Sequence, residues 1–371
     1  MIEVRLTGHH LEYLHHLYIG ASCRKSDDYI FAVPEREWKE VKDKKDWPKA
    51  SNIKWIMLND DKCHEVQIGN QLTMSFKLSR FIKLIAIKEH VDKIILISLA
   101  PVVPFLPLFL PSKIKISGII YKIYLRAARS RLSRVIDWIR YTVMAKNKGI
   151  EKILVLNDRK SAEDLNKIYK SNKFTSLVDP VPTNVNINLE DLRYKFDIPQ
   201  ESIVFIHFGA MTERKGTLEI LRSLQLFSHD ELSQRCFIFA GKVAQDIRHE
   251  FYLLVDIVRS KGGQIIVKDE FCSYGFLYSL CHTGDCILIP YKLTDLSSGV
   301  LGYAAVFQTP VIGPSSGLIG ELIKEYGFGD ALDDINPIRL KEAILGFQPY
   351  ALNTVYAERN TVDTFIDCIL T

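Results

Sequence analysis

The sequence lacks the short motifs that mark several common protein classes. No Cys-x-x-Cys pair is present, and seven irregularly spaced cysteines indicate no disulfide framework. No strand pattern is followed by Gly-x-Gly-x-x-Gly, which argues against a dinucleotide-dependent dehydrogenase. The Gly-x4-Gly-Lys-Ser/Thr spacing of a P-loop is missing as well. We therefore expect reduced thiols and a ligand site of another kind.

The sequence also lacks a strong excess of charge and a secretory signal. Lys and Arg number 48 against 44 Asp and Glu, and a net charge of +4 gives no argument for nucleic acid. The first residues, MIEVRLTG, carry no basic region followed by an apolar one, so no signal peptide is predicted. The 371 residues exceed one ordinary core. Composition therefore predicts a cytoplasmic protein of two domains.

One apolar run, residues 94–112, has no charged side chain over 19 residues. That length can span a bilayer. However, prolines at 101, 104, 107 and 111 each remove a helix hydrogen-bond donor. We predict a buried strand at Ile94–Ser98 followed by an apolar, proline-rich segment.

Strand and helix patterns alternate along the whole chain. Short, β-branched, charge-free runs such as SIVFIHFG, RCFIFAG and CILIPY are typical of parallel strands covered on both faces. Helical periods lie between them, so an α/β doubly wound architecture is predicted. Residues 178–202 are rich in Pro, Asn and Asp and form the best boundary, near residue 182. Ligands of such domains bind at the carboxyl ends of the strands.

A loop and helix start at residues 205–221 form the first candidate site. A strand is predicted to end at Phe208, Gly209 opens the loop, and Arg214 and Lys215 precede Gly216 at a helix start. Free backbone N–H groups and a positive helix end favour an anion there, and the two cations favour a diphosphate. The alternative is a helix start whose charges only face water.

A second turn of this kind lies at residues 297–299. Ser297, Ser298 and Gly299 precede a helix that follows the strand CILIP, so their N–H groups and hydroxyls can also face an anion. The alternative is a serine cap on a packed helix. Two such helix starts in one half of the chain favour an anionic ligand.

These features, taken in order, resemble the GT-B glycosyltransferases of the family 4 type (glycosyl transferases group 1). The resemblance covers about residues 179–345 and rests on five matches in the family's order. They are a Val-Pro linker at Val181–Val185, the Gly209 loop with Lys215-Gly216, a strand ending at Gly241, the strand Gly284–Pro290, and a helix ending before Pro310-Val311.

The resemblance implies a GT-B fold of two Rossmann-like doubly wound domains facing a cleft. Residues 1–182 would form the acceptor-side domain and residues 183–345 the nucleotide-sugar-binding domain. Residues 346–371 would form a C-terminal helix that crosses back to the first domain.

The resemblance also implies a function. A sugar would pass from a nucleotide-sugar to a saccharide or lipid-diphosphate-linked acceptor, with retention, without a metal and without a cofactor. Lys215 and Arg214 would stabilise the leaving diphosphate, and Asp295 would orient the donor sugar. The donor would be bound at Gly209, Ala210, Gly216, Gly241, Ser297, Ser298, Gly299 and Tyr303.

Three positions depart from the family pattern. Ala210 stands where the family usually has arginine, and Asp295 and Tyr303 stand where it has two glutamates. A tyrosine cannot accept two ribose hydroxyls as a carboxylate does. Two alternatives therefore stay open: a catalytically inactive GT-B protein that binds a nucleotide, glycan or partner, and a GT-B nucleotide-sugar epimerase.

The N-terminal string TGHHLEYLHHLY is predicted to follow a strand and form a helix. His9, Glu12 and His16 would share one face, which permits a metal site but lacks the paired histidines of zinc helices. Packed or solvated histidines are a second alternative. In the third, Gly8, His9 and His10 face the acceptor, together with Tyr121, which stands near the place of a family histidine.

Residues 122–148 hold eight Lys or Arg against one acidic residue, Asp137. As one helix, the segment would have an apolar side and a cationic side of Lys122, Arg126, Arg129, Arg134 and Arg140. The alternatives are a core-packed helix with a solvated face and a surface that meets an anionic membrane. Nucleic acid is disfavoured because no aromatic residues are interleaved as stacking platforms.

Overall fold

The computed structural model of the chain describes residues 1–6, 9–126, 131–183 and 189–371, without the side chains of His9, Lys44, Arg131 and Leu132. The chain forms two compact units: unit 1 is Met1–Asp179 with Val362–Thr371, and unit 2 is Pro180–Thr361. The boundary thus lies three residues before the predicted one. Residues 346–361, predicted to return to the first domain, belong to unit 2.

The first segment of unit 1 has six strands and seven helices among its described residues. The strands are β1 (Tyr29–Pro34), β2 (Ile53–Leu58), β3 (Lys93–Leu96), β4 (Lys115–Ile120), β5 (Ile150–Leu156) and β6 (Phe174–Leu177). The helices are α1 (His9–Cys23), α2 (Glu35–Val41), α3 (Asp60–Glu65), α4 (Gln71–Lys88), α5 (Phe105–Phe109), α6 (Arg131–Lys146) and α7 (Arg159–Tyr169).

Unit 2 alternates six strands with nine helices among its described residues. The strands are β7 (Ile203–Phe208), β8 (Arg235–Ala240), β9 (Gln264–Lys268), β10 (Cys286–Leu288), β11 (Val311–Pro314) and β12 (Gly329–Leu332). The helices are α8 (Leu192–Lys195), α9 (Thr217–Leu224), α10 (His229–Ser233), α11 (Arg248–Ser260), α12 (Tyr274–Thr283), α13 (Val300–Phe307), α14 (Gly317–Tyr326), α15 (Pro337–Gly346) and α16 (Val355–Arg359). The last helix of the chain, α17 (Val362–Leu370), lies in unit 1.

The parallel sheet of unit 1 has the order β3-β4-β5-β6, and β1 pairs with β2 in a separate parallel pair. Successive side chains of a strand face opposite sides. Accordingly, Ile94 and Leu96 join one core with α4, α5 and α6, whereas Ile95 and Ile97 join another with α1 and α17. The predicted N-terminal strand is wrong in extent, since residues 1–6 contribute only an isolated bridge between Ile2 and Ala32.

The parallel sheet of unit 2 has the order β12-β11-β10-β7-β8-β9. From β7 the chain adds β8 and β9 on one side. It then returns to the other side of β7 and adds β10, β11 and β12 there. The loops after β7 and β10 leave adjacent strands in opposite directions, which opens a crevice at their carboxyl ends. Both predicted anion-binding turns follow these two strands.

The predicted single helix over residues 122–148 is wrong. The segment 121–126 is a loop and turn after β4, and α6 begins only at Arg131. Arg126 lies outside the helix and makes a two-bond ion pair with the buried carboxylate of Asp158, at 2.6 and 2.8 Å. Arg140 is also buried, so neither belongs to an exposed cationic side. Arg129 lies outside the described residues.

The proline-rich run folds as predicted at its start. Strand β3 occupies its first residues, and a short 3-10 helix at Ala100–Val102 and α5 follow. Within the described ranges, the chain has no helix whose length and apolarity would suffice to cross a membrane.

Candidate functional site

The loop after β7 and the strand end of β8 cross at close range. Gly209 donates its N–H to the carbonyl of Ala240 at 2.9 Å. A Cβ at Gly241, which has a φ of +141°, would lie 1.9 Å from the carbonyl oxygen of Gly209. Only glycine fits there without a shift of backbone. The Gly209 turn and the Gly241 strand end, both named as donor-binding candidates, are thus held together by direct contact.

Lys215 lies above the Gly209 turn. It ends a 3-10 helix, Glu213–Lys215, whose first turn is closed by the Thr212 side chain accepting the Lys215 N–H. A Cβ at Gly209 would meet the Nζ of Lys215 at 2.7 Å, and that Nζ is 5.3 Å from the ring centroid of Tyr291. The ammonium group therefore lies over the Gly209 backbone, at the crevice between the carboxyl ends of β7 and β10.

The two cations of this loop have no neutralising partner in the described part of the chain. Neither Arg214 nor Lys215 forms an ion pair with a described carboxylate, and Arg214 is exposed. The neighbouring Lys292 differs, because it pairs with Glu213 and with Glu219, the latter at 2.9 Å. Positive charge at Arg214 and Lys215 is thus available to an anion.

Gly216 joins this loop to the strand end of β10. Its φ is +68°, and a Cβ there would lie 1.9 Å from the carbonyl oxygen of Pro290. The carbonyl of Arg214 accepts the N–H of Lys292 at 2.9 Å. The structure therefore brings Gly209, Lys215, Gly216 and Gly241 into one contact group.

His207 is a buried histidine that was not named from the sequence. It is buried in β7, with Nδ1 2.8 Å from the Leu288 carbonyl oxygen and Nε2 3.0 Å from the Thr217 hydroxyl. Burial lowers its pKa to about 4. A neutral imidazole therefore connects β7, β10 and α9 below Lys215. A histidine inside the apolar run FIHF was the available signal.

The predicted turn at 297–299 precedes α13 at the carboxyl end of β10. The carbonyl of Ser298 accepts the N–H of Leu301, and that of Gly299 accepts the N–H of Gly302, both at 3.0 Å. Asp295 is half-buried in the same loop. A Cβ at Gly299 would meet no atom within 4 Å. The space where a side chain at Gly299 would lie is therefore open.

Tyr303 packs at the end of β7, in the place of the second family glutamate. Its ring centroid is 5.4 Å from that of Phe208 and 6.1 Å from that of Tyr278. The position is thus part of an aromatic cluster. A glutamate at position 303 would lack these ring contacts and would add a negative charge.

A second serine turn, which was not predicted, follows β11. Ser315 and Ser316 precede Gly317, the first residue of α14, and the carbonyl of Thr294 accepts the N–H of Ile319 at 3.1 Å. The sequence signal was a near repeat, SSGVLG at 297–302 and SSGLIG at 315–320. Three strand ends, β7, β10 and β11, therefore carry turns at one edge of the sheet.

Comparison with known proteins gives structural neighbours only. No family model matches the chain, and no curated protein matches its sequence. WaaG, a glycosyltransferase involved in lipopolysaccharide biosynthesis, superposes with a TM-score of 0.63 at 13% identity, over 99% of this chain and 93% of WaaG. HepE of Anabaena in complex with UDP gives 0.68 at 12% identity, over 99% and 96%. A glycosyltransferase of Rickettsia africae gives 0.64 at 16% identity, over 100% and 92%.

The chain has the GT-B fold. The predicted resemblance and fold class are confirmed in this respect, and the similarity extends over both units rather than only residues 179–345. At these identities the likeness establishes the fold alone. The site residues named from the sequence stay predictions.

The acceptor-side candidates of the GT-B chain lie in unit 1. Gly8 and the side chain of His9 lie outside the described residues. His10 and Tyr121 do lie together, with nearly parallel rings whose centroids are 6.2 Å apart. The hydroxyl of Tyr121 donates to the Ile97 carbonyl at 2.8 Å.

Glu3 completes this group, although no sequence motif pointed to it. Its carboxylate is buried, lies 3.0 Å from Nδ1 of His10 and accepts the N–H of Ile97 at 3.2 Å. Burial raises the pKa of Glu3. An imidazole oriented by a buried carboxyl group can orient or deprotonate a hydroxyl.

The metal alternative for α1 includes His9, whose side chain lies outside the described residues, so it stays a prediction. His16 lies 3.7 Å from Glu12, and burial lowers the pKa of His16 to about 4. No group of three or more His, Cys, Asp or Glu side chains suited to a metal ion occurs in the described ranges.

Proposed function

We propose that this protein transfers a sugar from a nucleotide-sugar to a saccharide or lipid-linked saccharide, with retention and without a metal or cofactor. The observation that carries the proposal is the Lys215 ammonium, which lies over the Gly209 turn without a carboxylate partner among the described residues. The structural likeness to HepE, which binds UDP and UDP-glucose, supports it.

The chemistry follows from charge development at the donor. Cleavage of the sugar–phosphate bond leaves negative charge on the diphosphate. Fixed cations and N–H groups that already face that position lower the barrier without reorganising. Lys215 and Arg214 supply the charge, Ser297, Ser298 and Gly299 supply N–H and hydroxyl donors, and Asp295 accepts from a sugar hydroxyl. His10, held by Glu3, would face the acceptor hydroxyl.

The proposal places the protein in the cytoplasm. All seven cysteines are free thiols, and five of them are buried: Cys63, Cys236, Cys272, Cys281 and Cys286. Free thiols are typical of a reducing compartment.

The first test is thermal stabilisation by nucleoside diphosphates and nucleotide-sugars. A ligand at 100 times its dissociation constant stabilises by about 2.7 kcal/mol. We expect one nucleotide to raise the melting temperature of the wild type and of Lys324→Ala, an exposed lysine of α14 in the same unit. Lys215→Ala should lose that shift while melting normally without ligand. An equal shift in Lys215→Ala would remove Lys215 from the site.

Catalytic inactivity is a second candidate, favoured by the aromatic packing of Tyr303. Product analysis with donor and acceptor separates the two proposals. Binding without transfer to any acceptor would support an inactive binding protein. Conversion of the donor alone into an isomer would support an epimerase.

A further inference from the structure

The outer helices of unit 1 expose large apolar side chains. Relative exposure reaches 66% at Leu84 on α4, 62% at Leu108 on α5 and 57% at Trp138 on α6. We call this set the α4–α6 surface. Its exposed apolar members are Leu72, Phe76, Leu84, Ile87, Leu108, Val135, Trp138 and Ile139.

These three helices lie side by side over one face of the four-stranded sheet. Ile82, Leu106 and Met144, one from each helix, belong to a single core with β3, β4 and β5. The ring of Phe76 on α4 is 5.5 Å from that of Phe105 on α5. The Asn147 amide after α6 donates to the Pro107 carbonyl of α5 at 3.2 Å. The exposed side chains therefore form one layer.

The charge of this layer has one sign. Helices α4 and α5 contain no Asp or Glu, and the single acidic residue of α6, Asp137, is only 8% exposed. Exposed cations lie among the apolar side chains, at Arg80, Lys88, Arg134 and Lys146. The α4–α6 surface therefore presents apolar groups and positive charge without an exposed carboxylate in its helices.

We propose that the α4–α6 surface docks on an anionic lipid bilayer. Aliphatic side chains and a tryptophan between Lys and Arg are the composition of helices that lie in the membrane interface. A second copy of the chain would place cations against cations, which repel. The surface thus differs from the predicted one. Arg126 is only 10% exposed in its ion pair and Arg140 is buried, whereas Trp138, Val135 and Ile139 face outwards.

Vesicle flotation with the full chain tests the proposal. We expect the protein to float with vesicles of phosphatidylcholine and phosphatidylglycerol and to bind vesicles of phosphatidylcholine alone far more weakly. High salt should weaken the binding, because charges on the surface are screened. Equal binding to both vesicle types, or no binding to either, would overturn the proposal.

Two variants assign the binding to these helices. Trp138→Gln should weaken partition about tenfold by removing an interfacial aromatic anchor. Arg134→Gln should weaken it about fivefold on anionic vesicles, the factor for one cation near such a surface. The matched control is Leu253→Gln on α11 of unit 2, an apolar side chain that is 53% exposed. Binding that survives Trp138→Gln and falls in Leu253→Gln would overturn the assignment.

Two further measurements separate this proposal from others. Sedimentation should show the same mass for wild type and Trp138→Gln, whereas a dimer lost in the variant would show that a second copy covers the surface. Both α6 variants should keep the thermal shift with a nucleotide, since Lys215 and its loop are unchanged. A nucleotide shift without vesicle binding would refute the membrane surface and leave the proposed transferase intact.

Discussion

Gly216 and Gly299 are the N-cap residues of α9 and α13 but differ in the space around them. A side chain at Gly216 would need a φ of +68° and would meet the Pro290 carbonyl, so Gly216→Ala should destabilise the fold by about 2 kcal/mol or more. At Gly299 the φ is −57° and the space is open, so alanine should change the free energy of unfolding by less than about 0.5 kcal/mol. Urea unfolding of both variants checks this difference.

Gly299→Ala then tests ligand approach without disturbing the fold. If a phosphate binds the N–H groups of this turn, the added methyl group should hinder it and reduce the thermal shift with nucleotide. An undiminished shift would contradict a role of Gly299 at the ligand. Gly275→Ala is the control, because a Cβ there also meets nothing within 4 Å.

His207 should make stability depend on pH. The pKa of His207 in the folded protein, about 4, lies below the ordinary 6.5. The free energy of unfolding therefore keeps its full value above pH 6.5 and falls as the pH is lowered towards 4. At pH 5 this shift corresponds to about 2 kcal/mol lost relative to pH 7. His207→Gln should remove that part of the dependence in urea unfolding at both pH values.

The pH dependence has a second source and a clear control. His16 has a similarly lowered pKa, so the variant should keep part of the slope. The exposed His229→Gln should leave the slope as in the wild type. A slope unchanged in His207→Gln would mean that the imidazole is not neutral in the native protein.

At the scale of elements, the ion pair of Arg126 and Asp158 connects the end of β4 to the start of α7. The Asp158 carboxylate also accepts the Ser161 N–H at 3.0 Å as the cap of α7. Arg126→Gln leaves a buried carboxylate without its ionic partner, which costs about 3 kcal/mol or more. Arg159→Gln, exposed on the same helix, should change the free energy of unfolding by less than about 0.5 kcal/mol. Equal unfolding curves for the two variants would contradict the buried pair.

The elements of unit 2 were predictable because their strands are short, apolar and bounded by turn residues. The runs SIVFIHFG, RCFIFAG and CILIPY all lie at strands of the sheet, and both predicted anion turns follow strand ends. Helix α6 was not predictable in the same way. Apolar residues occur on both of its sides, Tyr141 and Met144 inward and Trp138 and Ile139 outward. Periodicity alone cannot orient such a helix.

The candidate site could be predicted only where its residues lie within one short loop of the chain. Gly209, Lys215 and Gly216 lie within one loop, and their contact follows from the sequence of that loop. Glu3 meets His10 by a contact that no motif records, and His207 acts through two strands that are distant in sequence. Contacts of this kind become visible only when the strands are placed side by side in the folded sheet.

At the scale of the whole molecule, the end of the chain divides between the two units. The predicted single C-terminal helix is two helices, since α16 ends at Arg359 and the buried Asn360 accepts the Val181 N–H through its carbonyl at 2.8 Å. Helix α16 therefore belongs to unit 2, whereas α17 packs on α1 in unit 1. The composition near residue 360 is ordinary, so this break could not be predicted from it.

This division predicts where a core mutation in α17 acts. Phe365 and Ile369 are fully buried among residues of α1, and Ile366 lies so close to Gly20 that a Cβ there would be 2.2 Å from its Cγ2 atom. Phe365→Ala should therefore destabilise unit 1 by about 3 to 5 kcal/mol. Hydrogen exchange should show lost protection in α1 and α17, and the exposed Asp363→Ala should leave it unchanged. Protection in β7 and β10, whose cores involve other residues, should stay as in the wild type. Loss of protection in β7 and β10 as large as that in α1 would mean that unit 2 depends on this helix for its folding.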